Sequence, residues 1–148
     1  MTRLEQIAEE FKALQPSDRL ELLLEYSDKL PAIPERYRSM EEMEAHRVHE
    51  CQTPVSLWVD VESGKVLIYA HVPPEAPTVR GFMAMLMEAF HAASPQEVLA
   101  APQDILIRSG LAEAIGMRRL VGLNAILRLL KQKVAASFQQ SQSQPDSA

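Results

Sequence analysis

Residues 55–72 carry the pattern that most limits what this chain can fold into. Val55, Leu57, Val59 and Val61 alternate with Ser56, Trp58, Asp60 and Glu62, and a period of two sends the two sets to opposite faces of a strand. Glu62-Ser63-Gly64-Lys65 has the chemistry of a turn and Val66 to Val72 is strand-like again, so the pair predicts an antiparallel hairpin. A lone hairpin is marginal in water, and its apolar face has to be covered by something else.

The flanking segments have helical periods that suit that task. Leu4, Ile7, Ala8, Phe11 and Leu14 form one series; after Gln15-Pro16-Ser17 a second follows in Leu20, Leu23, Leu24 and Leu30. Ser17 or Asp18 is the expected cap of the second helix, and Leu30-Pro31-Ala32-Ile33-Pro34 ends it, because proline denies the preceding residue a helical backbone. Downstream of the hairpin, Val79, Phe82, Met83, Leu86 and Phe90 share a helical face that should cover the sheet. Ser94-Pro95-Gln96-Glu97 reads as a capped start to a short helix, and residues 104–115 as short turns broken at Gly110. Leu120, Leu123, Leu127, Leu130 and Val134 mark a long last helix with Arg128, Lys131 and Lys133 on its solvent side.

Between Glu35 and Pro54 the apolar period lapses. One helical turn is expected near Met40 to Ala45 within an ordered loop, and a third strand is expected from residues 33–40. Helices segregated from strands indicate an α+β domain: a small antiparallel sheet containing the hairpin, packed on one side by several helices. One domain over residues 1–137 and a disordered tail over 138–148 complete the expectation, since FQQSQSQPDSA has little to bury.

Charge excludes one class of partner. At a formal net charge of −5 the chain lacks the basic excess from which nucleic-acid binding draws its affinity. The acids concentrate early, with twelve acids and seven bases in residues 1–50 against eight of each in 51–148. A basic protein surface could dock on that first third, or the acids could simply be solvated helix faces. No uncharged stretch approaches the roughly 20 residues that span a bilayer, and MTRLEQIAEEFK has acids where a secretory signal has its apolar core. A cytoplasmic protein without membrane contact is expected.

Cys51 is the one cysteine. No internal disulfide, CxxC pair or four-cysteine zinc site can be built from it, so any thiol chemistry involves another molecule. Its neighbours His49, Glu50, Gln52 and Thr53 are polar, unlike the apolar surroundings of a structural cysteine, although a lone cysteine is more often a small core residue. A nucleophilic sulfur needs the thiolate, which a nearby cation favours; Arg47, His46 and His49 are the local candidates. His46, His49, Cys51 and His71 are acceptable zinc ligands, but their spacing matches no known ligand pattern, and no metal site is predicted.

Taken together, these segments resemble the SufE family. HECQTPVSLWV resembles its reactive cysteine ahead of a tryptophan-bearing strand, EAPTVRGFMAML its acid, β-branched pair and glycine before a helix, SPQEVL its next helix start, and MRRLVGLNAILRLLK its arginine, glycine and apolar last helix. LELLLEYSDKLP resembles the helix ending in Leu-Pro near the start. Glu50 stands where the family commonly has glycine. The resemblance implies a SufE/IscU-like fold and an activator of a cysteine desulfurase rather than a stand-alone enzyme. Cys51 would take persulfide sulfur from a SufS-like, pyridoxal-phosphate-dependent desulfurase and pass it to a downstream iron–sulfur scaffold. It implies no cofactor of the chain's own, allows a homodimer, and brings Glu75 and Arg119 near the cysteine loop or a self-contact, where their charges suggest an ion pair. Gly81 and Gly122 resemble family glycines that allow close packing. Two rival readings are an iron–sulfur or zinc-binding assembly scaffold, and a non-catalytic adaptor of a desulfurase in which Cys51 is incidental.

Overall fold

A computed structural model describes residues 2–143. Two antiparallel strands, β1 (Ser56–Glu62) and β2 (Lys65–His71), form the sheet, in a register that pairs Ser56 with His71 and Glu62 with Lys65. The turn is tight, with Ser63 and Gly64 both at positive φ, the backbone a two-residue hairpin turn demands. Among the described residues eight helices surround the hairpin: α1 (Arg3–Lys12), α2 (Pro16–Ser27), α3 (Met40–Ala45), α4 (Pro77–Phe90), α5 (Pro95–Leu99), α6 (Ile105–Arg108), α7 (Leu111–Ile115) and α8 (Met117–Ser143). The result is the expected α+β arrangement.

The inner face of the hairpin, with Val55, Leu57, Val66, Ile68 and Ala70, is buried in one core together with α4 and α8. α8 packs along β1 and α4 along β2, while α4 also lies against α2. Phe82, Met83, Leu86 and Phe90 of α4 are buried as their spacing requires, as are Leu120, Leu123, Ile126, Leu127, Leu130 and Val134 of α8. Ser94 Oγ accepts the Glu97 N–H at 3.2 Å, the capping bond read from the sequence.

Four expectations are corrected. Residues 33–40 contribute no strand: Pro34 starts a 3-10 turn over Glu35–Tyr37, and Tyr37 stacks on Trp58, with ring centroids 4.9 Å apart and planes within 14°. The outer face of the hairpin is thereby roofed at its centre, and Trp58 is only 3% exposed. Extra pairing at β1 comes instead from Arg47, which bridges Ser56. α2 begins one residue earlier than its expected cap, at Pro16, with Gln15 in the N-cap position and no side-chain cap bond.

The buried stripe of α2 is Arg19, Leu23, Tyr26 and Ser27, and Leu24 faces outward. Arg19 takes a place the apolar period left open because the chain supplies it with partners. Its guanidinium donates to the Phe11, Lys12 and Gly110 carbonyl oxygens at 2.8–3.1 Å and to Glu113 at 3.1 Å, closing the end of α1 onto α7. Finally, α8 extends to Ser143, so residues 138–143 of the expected disordered tail are helical: a long helix already anchored by its buried face propagates at little cost through residues with fair helix propensity. Residues 144–148 lie outside the described residues.

Candidate functional site

Val48 and Val55 are both fully buried, and the Val48 N–H donates to the Val55 carbonyl at 2.8 Å. These two anchors, backed by the Arg47–Ser56 bridge, cinch residues 48–55 into a loop at the entrance to β1. The Cys51 N–H turns back to the Val48 carbonyl at 3.3 Å, and the Val55 N–H to that of Thr53 at 2.8 Å. Cys51 thus sits at the tip of a short loop rather than in a long one. It is half-buried, packing against the edge of the hydrophobic core, while His49, Glu50 and Gln52 on either side are exposed. Glu50 lacks a left-handed backbone, so this position does not call for the conformational freedom of glycine: Ser63 and Ala92 are the non-glycine residues at positive φ among those described.

The loop opens onto a groove of about 810 Å³. One wall is the loop itself, Glu50 to Thr53; a second is the start of α4 with Glu75 before it; the third is the start of α8, including Arg118, Arg119, Val121 and Gly122. The structure thus brings together Cys51, Glu75 and Arg119. It makes no ion pair between the last two: both are exposed, and among the described residues neither has a salt-bridge partner.

Arg47 and His49 do not line the groove. Arg47 reaches toward Glu44, 3.7 Å away, and His46 turns to the opposite side, where its Nδ1 lies 3.0 Å from the Glu42 carbonyl oxygen and its ring leans on Trp58. Among the described residues no three His, Cys, Asp or Glu side chains converge as a metal site.

Spacing alone does not mark Arg118 or Gly122 as groove residues. Arg118 adjoins Arg119 at the exposed start of α8, which Gly116 at φ +88° introduces. Gly122 is helical, and a Cβ there would meet nothing within 4 Å, so it opens the groove rather than permitting close packing. Gly81 behaves as expected: a Cβ would run into the Leu23 backbone of α2.

Comparison with known proteins decides the family. The SufE family, described as an Fe–S metabolism associated domain, matches residues 5–134. The chain belongs to the SufE family. An uncharacterised SufE-like protein of Mycobacterium tuberculosis is 35% identical over 132 residues, covering 88% of this chain and 90% of that protein. A SufE-like protein of Synechocystis is 29% identical over 141 residues, 95% of this chain and 84% of its own length. The solution structure of a hypothetical protein from Thermus thermophilus superposes with a TM-score of 0.80 at 40% identity, covering 94% of this chain and 99% of that one. SufE membership implies a role in iron–sulfur metabolism and sulfur transfer and suggests interaction with a cysteine desulfurase. No helix among the described residues of this SufE-family chain is long and apolar enough to cross a membrane.

Proposed function

We propose that this chain is a sulfur acceptor. Cys51 takes persulfide sulfur from a pyridoxal-phosphate-dependent cysteine desulfurase, stimulates that enzyme by clearing its cysteine, and passes the sulfur on to iron–sulfur cluster assembly. The observation that carries the reading is the position of the single cysteine, half-sheltered at the tip of a cinched loop and facing an open groove. The exchange needs no oxidant. The Cys51 thiolate attacks the outer sulfur of the donor persulfide, a new S–S bond forms, the donor's S–S bond breaks, and the donor cysteine leaves as a thiolate. With no second cysteine in the chain, the persulfide cannot collapse into an internal disulfide.

Groove electrostatics suit an anionic cargo. The charges of Glu50 and Glu75 offset those of Arg118 and Arg119, while the starts of α4 and α8 add the partial positive charge of helix N-termini. The first α4 hydrogen bond runs from Arg80 N–H to Ala76 carbonyl at 3.0 Å, which leaves the Thr78 and Val79 N–H groups on the groove wall without acceptors among the described residues. Beside the groove Met117 and Val121 are 57% and 64% exposed, apolar contacts for a docking partner flanked by two guanidinium groups. Among the described residues no side-chain hydrogen bond or salt bridge holds positions 49–54, so the loop tip is free to swing out from its Val48 and Val55 anchors when a partner docks.

The test is to incubate the protein with a turning-over cysteine desulfurase and cysteine, then measure intact mass under non-reducing conditions. Wild-type protein should gain the mass of one sulfur atom on Cys51 and raise desulfurase turnover; Cys51→Ser should do neither while unfolding at the wild-type denaturant midpoint. Stimulation that survives in Cys51→Ser would replace this reading with that of a non-catalytic adaptor.

A further inference from the structure

The Cys51 groove carries more charge than an exchange between two protein cysteines uses. Its volume of about 810 Å³ lies within the range of small-molecule sites, about 300–1,000 Å³. Its charged side chains are divided between the walls: Glu50 stands on the cysteine loop and Glu75 ahead of α4, while Arg118 and Arg119 stand together at the start of α8. All of them are exposed, and among the described residues none takes part in an ion pair or a side-chain hydrogen bond.

Carboxylates and guanidinium groups held apart on separate walls leave a gap that a ligand of both signs bridges. A simple anion gains from α8 and loses to Glu50 and Glu75, and a simple cation does the reverse. A zwitterion gains from every wall, with its carboxylate toward Arg118 and Arg119 and its ammonium toward Glu50 and Glu75. Ala76, Pro77, Val79 and Leu123 add apolar lining for a short methylene stem, and Cys51 supplies the sulfur that the end of such a stem would meet. A cysteine inside a polypeptide has amides in place of both charged groups, so it leaves these four side chains unused.

We propose that the groove recognises a free amino-acid thiol as a zwitterion, cysteine being the simplest, and that such a thiol is a second outlet for sulfur held on Cys51. The outlet rests on the acceptor reading for the source of its sulfur; recognition of the thiol does not. In the transfer the small thiolate attacks the outer sulfur of the Cys51 persulfide. A new S–S bond forms on the small molecule, the bond from Cys51 Sγ to that sulfur breaks, and Cys51 leaves as a thiolate. No oxidant or reductant enters. The product is a diffusible persulfide, available to any reaction that consumes one.

Thiol–disulfide exchange tests the recognition without a desulfurase. The full chain is mixed in turn with cystine, with cystamine, which lacks the carboxylates, and with dithiodipropionate, which lacks the ammonium groups. Formation of the mixed disulfide on Cys51 is timed by intact mass. Each rate is divided by that of N-acetyl-cysteine N-methylamide with the same disulfide, which removes differences in leaving-thiol basicity. Wild type should favour cystine over each of the others by about three- to fivefold, the effect of one exposed charge contact. Replacing both arginines (Arg118→Gln with Arg119→Gln) should abolish the advantage over cystamine, and replacing both glutamates (Glu50→Gln with Glu75→Gln) the advantage over dithiodipropionate, with unfolding midpoints unchanged. Sulfur exit is read separately: protein loaded by a desulfurase and then freed of it should lose its added sulfur to cysteine faster than to cysteamine. Equal normalised rates for the three disulfides, or a cystine advantage that survives both double variants, would overturn the proposal while leaving sulfur uptake to its own mass measurement. A chain that prefers cystine but takes no sulfur from a desulfurase would support the recognition and refute the acceptor reading.

Discussion

Two helical glycines that look alike in sequence should respond in opposite ways to the same added methyl group. At Gly81 a Cβ would collide with the Leu23 carbonyl oxygen, and would come within 3.0 Å of the carbonyl carbon and 3.2 Å of Cδ1. The obstacle is mainly the main chain of α2, which cannot rotate away as a flexible side chain could. Relief therefore requires α2 and α4 to separate, loosening the packing of Leu23 and Phe82, both fully buried. Overpacking of this kind costs about 1–3 kcal/mol, and a rigid backbone obstacle places it at the upper end. Replacing glycine by alanine inside a helix returns about 1 kcal/mol, so Gly81→Ala should be destabilised by about 2 kcal/mol net. At Gly122 the Cβ meets nothing within 4 Å, so Gly122→Ala should be stabilised by about 1 kcal/mol. Urea unfolding of the two variants, followed by far-UV circular dichroism, measures the difference, expected at about 3 kcal/mol. Equal midpoints would show that the approach of α2 to α4 is wrong and would refute the reasoning. Because Gly122 lines the Cys51 groove, Gly122→Phe carries the contrast into function: it should slow sulfur uptake from a desulfurase without lowering the unfolding midpoint.

The remaining expectations concern the framework that carries the site. Arg19→Met should cost about 1–3 kcal/mol, because it leaves the Lys12 carbonyl oxygen without its donor and takes one of two donors from those of Phe11, which keeps the Leu14 N–H, and Gly110, which keeps the Glu113 N–H. Glu113→Gln, which removes an exposed partner, should cost under about 1 kcal/mol in the same denaturation assay. Burial, and next the neighbouring Glu88 carboxylate, push the Tyr26 phenol well above the ordinary tyrosine value. Since the folded-state value is the raised one, the stability Tyr26 contributes is complete below about pH 10, the unfolded value, and is lost as pH rises beyond it. Comparing wild type with Tyr26→Phe between pH 9 and 11 should therefore show wild type losing stability with a steeper slope, by up to about 1.4 kcal/mol per pH unit; parallel slopes would count against the burial of the phenol.

Much of the fold was legible in the sequence because its signals are local. The hairpin and its turn, the apolar faces of α4 and α8, the Ser94 cap and the break at Gly110 all follow from side-chain period or from the backbone needs of particular residues. The errors arose where a distant partner outweighed the local pattern. A strand over residues 33–40 would have given the marginal hairpin the support it needs, but Pro34 and the stacking of Tyr37 on Trp58 favour a 3-10 turn. Leu24 fitted the helical period of α2 and yet faces outward, because Arg19 and Tyr26 find their partners in α1, α4 and α7 on the other side. At the site, sequence singled out Cys51, Glu75 and Arg119, which do line one groove, but it also offered Arg47 and His49, which neighbour Cys51 in the chain and lie outside that groove.

By itself, then, the sequence determined the hairpin, the main helices, the apolar faces of α1, α4 and α8, and that any thiol chemistry must pass through Cys51 to another molecule. These are properties of short stretches of chain and of composition, and neither depends on how the stretches are arranged. Only the tertiary structure decided that the Cys51 loop is cinched by Val48 and Val55, that the starts of α4 and α8 meet it across one groove, and that Arg118 and Gly122 belong to its wall. Groove walls come from positions about 25 to 70 residues apart in the chain; their convergence is set by how the helices pack on the hairpin, an interaction between segments that no single segment encodes.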